Sequence, residues 1–76
     1  MVSMTRKVYR VQYIDERWQV RHEGSSLSTH TVKADAVDAG QKVAKANAPS
    51  QLVVHKQDGT FEYEYTYGDD PYPPEG

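Results

Sequence analysis

The stretch LVVHKQDGTFEYEYTY, residues 52–67, decides the fold. Leu52, Val53 and Val54 precede the pair Asp58-Gly59, after which Phe61, Tyr63, Tyr65 and Tyr67 alternate with Glu62, Glu64 and Thr66. An Asp-Gly pair between two such runs marks a tight β-hairpin, because its turn needs positive φ, which Gly adopts freely and Asp tolerates. Closing the hairpin there sets Gln57 against Thr60, Val54 against Tyr63 and Leu52 against Tyr65. Leu52, Val54, Phe61, Tyr63 and Tyr65 then share one face, and Val53, His55, Glu62 and Glu64 the other. The chain beyond, Gly68 to Gly76, carries Pro71, Pro73 and Pro74 and cannot continue a ladder.

A second hairpin reads upstream. Tyr9, Val11 and Tyr13 alternate with Arg10 and Gln12, and Trp18, Val20 and His22 alternate with Arg17, Gln19 and Arg21. With Asp15 and Glu16 as turn residues, Tyr13 faces Trp18, Val11 faces Val20 and Arg10 faces Arg21. Asp-Glu is a poor primed turn, so a longer loop with a shifted register stays open. Glu23 to Thr29, with Gly24, Ser25, Ser26 and Ser28, reads as a turn-rich loop with room for a short extra strand around His30.

Between the hairpins, Ala36, Val37, Gly40, Val43, Ala44 and Asn47 recur at helical spacing, which predicts a helix from Lys33 to Asn47. Asp35 suits the positive end of its dipole, and Asn47, Ala48 and Pro49 supply the stop. The inward residues are small, so helix and sheet are expected to approach closely. Gly40 costs a helix about 1 kcal/mol relative to Ala, which calls for a packing reason. One helix covers both apolar faces only if the hairpins join into one antiparallel sheet. The expected architecture is an α+β two-layer sandwich, ββαββ, with strand order undetermined. It comprises a flexible N-terminus 1–6, a domain 7–67 and a proline-rich tail 68–76.

Seventy-six residues allow one small core, worth about 3–5 kcal/mol, so few buried positions can be given to polar function. The chain has no Cys, which excludes disulfides, thiolate metal sites and a cysteine nucleophile. No window reaches the roughly 20 apolar residues of a membrane span, and Met1 to Lys7 lacks the apolar run of a signal peptide. No membrane partner is expected, and a cytoplasmic location is the default. The net charge of −2 conceals an asymmetry. Residues 1–33 carry six Lys/Arg against three Asp/Glu, and residues 34–76 carry three against eight.

Few residues offer chemistry. His22, His30 and His55 fall in three separate elements without metal-ligand spacing, so no metal and no cofactor is expected. His55 lies across the second hairpin from Glu62, the raw material of acid–base catalysis. No nucleophile motif or phosphate loop accompanies it, so a small hydrolytic or toxin-like enzyme is the least favoured reading. Arg10, Arg17 and Arg21, with Gln12 and Gln19, cluster on the open face of the first hairpin and suit an anionic partner, unless Glu62 and Glu64 neutralise them across the sheet. Tyr9, Trp18, Phe61 and Tyr63 are expected in the core, where they cannot stack nucleic-acid bases. Tyr67 and Tyr72 are candidate exposed contacts. The tail's prolines favour an extended path, either docking a partner or folding back over a sheet edge.

The succession of Trp18 and Val20, Lys33-Ala34-Asp35-Ala36, Leu52-Val53-Val54-His55, Asp58-Gly59 and the run from Tyr67 through Asp69, Asp70, Pro71, Tyr72, Pro73 and Pro74 to Gly76 resembles domain of unknown function 2188. The resemblance implies a short bacterial protein without an assigned activity, and it carries over no catalytic or binding residue. Val32 departs from its pattern, standing where a helix-capping Thr is expected; Thr31 is the substitute at hand. The functional expectation is a non-enzymatic binding or adapter module acting through the polar sheet face or the tail. Its partner is expected to be a protein rather than nucleic acid. The alternative is a nucleic-acid binder using Arg10, Arg17 and Arg21, and self-association through a sheet edge is open.

Overall fold

The computed structural model describes residues 6–68. The elements are β1 (Lys7–Ile14), β2 (Arg17–His22), β3 (Ser25–His30), α1 (Lys33–Ala46), β4 (Ser50–His55) and β5 (Phe61–Tyr67). The strands form one five-stranded sheet in the order β3-β2-β1-β4-β5, with the helix across one face. No helix among the described residues is long and apolar enough to cross a membrane.

The first hairpin has the register its alternation predicts, with Tyr13 opposite Trp18, Val11 opposite Val20 and Arg10 opposite Arg21. Asp15 and Glu16 both take positive φ, 54° and 64°, so they do form the two-residue turn despite their poor propensity. The sheet is nevertheless neither two hairpins side by side nor wholly antiparallel. Ser25–His30, read from sequence as loop with a short extra strand, forms a full third strand antiparallel to β2. Glu23 and Gly24, at φ 51° and 83°, make the turn into it.

That strand changes the parity of the fold. With three antiparallel strands before the helix instead of two, α1 returns the chain so that the next strand runs in the direction of β1. β4 lies directly beside β1 and is parallel to it, Tyr9 opposite Leu52 and Val11 opposite Val54. A parallel pair requires such a crossover. The sheet is therefore mixed.

The core lies between α1 and the central strands. Tyr9, Val11, Trp18, Val20, Leu52 and Val54 pack from the sheet against Ala36 and Ala44. Ala36, Gly40 and Ala44 are the buried residues of α1, a row of small side chains four apart that brings the helix axis close to the strands. A Cβ on Gly40 would stand 2.9 Å from Leu52 Cδ1, which is the packing reason for a glycine in mid-helix. The helix begins after Val32 with no side-chain cap, so Thr31 does not substitute. It ends at Asn47, whose backbone N–H bonds to the Ala44 carbonyl and whose side chain donates to the Val43 carbonyl. The Ala44 carbonyl also accepts from the fully buried Ser50 hydroxyl. Arg6 donates to the carbonyls of Ser50 and Tyr67, both at 3.1 Å, tying the start of β4 to the end of β5.

The second hairpin departs from simple alternation at one place. Leu52 faces Tyr65 and Val54 faces Tyr63, as expected, but His55 faces Phe61, with a register shift after Val54. Glu62 is the extra residue of a β-bulge. The turn itself is a Lys56–Gly59 bend, with Gly59 at φ 96°, and Lys56 pairs with Thr60 instead of Gln57 doing so. Asp58 braces this bend by accepting from the Thr60 N–H and hydroxyl, bonds that hold its carboxyl below the usual carboxylate range.

The bulge sorts side chains differently from the sequence reading. Glu62 turns to the helix side and pairs with Lys33, whose ammonium also lies 5.1 Å from the Trp18 ring. Phe61, paired with His55, moves to the open face and is 57% exposed, so it is not core. Tyr63 keeps the helix side but is 37% exposed, because α1 covers β1, β2 and β4 better than it covers the edge strand β5. Tyr9 and Trp18 are buried as expected.

Candidate functional site

The sheet face turned away from α1 is built from the alternate residues of β2, β1, β4 and β5. Arg21, Arg10, Val53 and Glu64 form one row across these four strands. Gln19 and Gln12 pair in the next row, and Arg17 stands opposite Ile14 near the turn. Three of the candidate binding residues, Arg10, Arg17 and Arg21, thus share a face, and two of them are directly opposed.

The arginines are held by neutral groups. Arg21 donates to Gln19 Oε1 and to the Gly24 carbonyl, both at 2.7 Å. Arg10 Nη1 lies 3.2 Å from His55 Nε2, and His55 Nδ1 lies 3.1 Å from the Gly59 carbonyl. A carbonyl only accepts, so the hydrogen-bond pattern assigns the His55 proton to Nδ1 and leaves Nε2 to accept from Arg10. Among the described residues Arg10 makes this one side-chain hydrogen bond, out of the five N–H donors of a guanidinium. Val53, beneath this row of long side chains, is only 7% exposed.

Among the described residues no carboxylate pairs with Arg10 or Arg21. Among the described residues the ion pairs between permanently charged groups are Lys33–Glu62 and Lys42–Asp38, and Glu23 lies 3.8 Å from His22 Nε2. Glu62 is on the helix side because of the bulge, and Glu64 accepts from Gln51 Nε2 at 3.2 Å. The alternative of neutralisation by Glu62 and Glu64 across the sheet therefore does not occur. Strand order explains it: β4 stands between β1 and the acidic strand β5.

The structure does not assemble the other sequence candidates. His55 and Glu62 lie on opposite faces, so they form no acid–base pair. His22 stacks on Tyr9 with ring centroids 4.4 Å apart, and His30 bonds to Ser28 Oγ, each in its own element. Tyr67 is on the helix side, packed on the core with its hydroxyl buried, and does not share a face with the arginines. Burial raises the phenol pKa of Tyr63, also on that side. Tyr72 and the tail beyond Gly68 lie outside the described residues, as does any fold-back over a sheet edge.

Sequence reasoning missed Phe61 as a member of the open face. Alternation from Phe61 to Tyr67 is unbroken in the sequence, and nothing in it marks the bulge at Glu62. Neither a curated protein nor a solved structure matches this chain. The model of a family described as "Uncharacterized protein conserved in bacteria (DUF2188)" matches residues 9–67, from within β1 to the end of β5. Of the residues that carry the resemblance, Trp18, Val20, Lys33–Ala36, Leu52–His55, Asp58-Gly59 and Tyr67 fall in that span and the tail run 68–76 lies beyond it; the chain belongs to this bacterial family.

Proposed function

We propose that this chain is a non-enzymatic binding module whose open sheet face contacts another macromolecule. The observation that carries the reading is the pair Arg10 and Arg21, opposed across β1 and β2 with no carboxylate partner among the described residues. Like charges directly opposed in a sheet destabilise the fold. An external anion would relieve that repulsion and accept the unused guanidinium donors, since Arg presents a planar fork to such groups. Gln12, in the adjoining row, supplies a donor and an acceptor, while its partner Gln19 already accepts from Arg21 and donates to the Ile14 carbonyl.

The test is a pull-down from the native host with both bound protein and bound nucleic acid identified. The wild-type chain is expected to retain a partner that the Arg10→Gln, Arg21→Gln variant does not. The same variant, freed of like-charge repulsion, is expected to melt no lower than wild type. A partner retained equally by both chains overturns the assignment of the site to this face.

A further inference from the structure

We infer that the open face is a surface for single-stranded nucleic acid, with Phe61 stacking a base while Arg10 and Arg21 hold backbone phosphate. The inference rests on the reading of this face as a contact surface and adds the chemistry of its partner.

Base stacking on a sheet needs an exposed aromatic ring beside cations. Simple alternation places every aromatic of β5 under the helix and offers no such ring. The bulge at Glu62 supplies one. It sets Phe61 opposite His55, 57% exposed, on the face that carries the arginines. His55 is itself in contact with Arg10, so ring and cation are linked through one residue. Only β4 separates β5 from β1, which puts the two strands about 9–10 Å apart. A ligand reaching from Phe61 to Arg10 and on to Arg21 therefore crosses a narrow surface, as a short run of nucleotides does. Gln12 lies beside that path and suits the mixed donor and acceptor edges of unpaired bases.

Charge and ring together favour this partner over two others. Acidic side chains would satisfy Arg10 and Arg21 but offer no planar group to stack on an exposed Phe61. A duplex keeps its bases stacked inside, so Phe61 would meet only backbone. The protein's net charge of −2 does not oppose the reading, because Glu62 is turned to the helix side and Glu64, on the arginine face, is bonded to Gln51 and separated from Arg10 by Val53.

The experiment is fluorescence anisotropy of a labelled 12-nucleotide oligothymidylate titrated with the 76-residue chain at 50 and 200 mM salt. Binding is expected at low salt. Arg10→Gln and Arg21→Gln should each weaken it and reduce the slope of log affinity against log salt by about 0.7. Phe61→Ala should weaken it roughly 5- to 150-fold without changing the slope, while Phe61→Tyr, which keeps the ring, should restore it. Far-ultraviolet circular dichroism of each variant verifies the fold.

No binding of the oligonucleotide at low salt overturns the inference. So does full affinity in Phe61→Ala, or equal affinity for polyglutamate or for a duplex of the same length. The proposed function has its own arm. A host partner lost with Arg10 and Arg21, in the absence of oligonucleotide binding, leaves the face as a site and refutes only its nucleic-acid chemistry. Loss of both results refutes the site.

Discussion

Gly40→Ala opposes two well-sized effects, and the structure decides between them. In a solvated helix the substitution gains about 1 kcal/mol of propensity. Here the added Cβ would lie 2.9 and 3.2 Å from the two Leu52 methyls and 3.3 Å from Val11 Cγ2. Leu52 and Val11 are both fully buried, so neither can swing aside into solvent. Overpacking of this kind costs about 1–3 kcal/mol. The net expectation is a loss of about 1 kcal/mol, which for a domain of this size lowers Tm by about 4–8 °C. Thermal melts followed by circular dichroism measure it. A double-mutant cycle with Leu52→Val isolates the cause, because removing a methylene from Leu52 opens room for the new methyl. The double variant should retain about 1 kcal/mol more than the two single losses predict. A higher Tm for Gly40→Ala, or strict additivity in the cycle, would refute the close helix-to-sheet contact at this point.

Gly68→Ala should cost about 2 kcal/mol or more, read in the same melts. Gly68 has φ 107°, and a Cβ there would meet the Pro49 backbone at 2.6 Å. Tyr67→Phe should leave Tm unchanged or raise it by the equivalent of about 1 kcal/mol, since the buried hydroxyl has no partner among the described residues; a fall would show that it is satisfied. Asp58 contributes stability that is fully present above its unfolded value of 3.8 and is lost as pH falls through its lower folded value. Carboxyl NMR should therefore find Asp58 titrating below 3.8, and Asp58→Asn should remove that part of the acid dependence. A midpoint at or above 3.8 would mean that the Thr60 bonds do not hold the carboxylate.

What was legible in the sequence were the features set by neighbours along the chain. The register from Tyr13–Trp18 to Arg10–Arg21 follows from a two-residue turn and a period of two, and it survives an unfavourable Asp15-Glu16 pair because the aromatic and aliphatic residues fit only one way round. The row Ala36, Gly40, Ala44 announces a close helix, since side-chain size and spacing are properties of the sequence itself. The three arginines were placed on one face by the same alternation.

The tertiary structure alone decided three things. Ser25–His30 has one aliphatic residue, Leu27, and too little β propensity to declare itself; it is a strand because β2 offers an unpaired edge beside it. That added strand reversed the parity of the chain, made β1 and β4 parallel, and put β4 between the arginines and the acidic strand. The extra residue at Glu62, where the ladder must meet the Lys56–Gly59 bend, sent Glu62 to Lys33 and Phe61 to the arginine face. Alternation states which residues share a face only while the ladder is regular. Whether it is regular depends on the strand opposite, which no local pattern encodes.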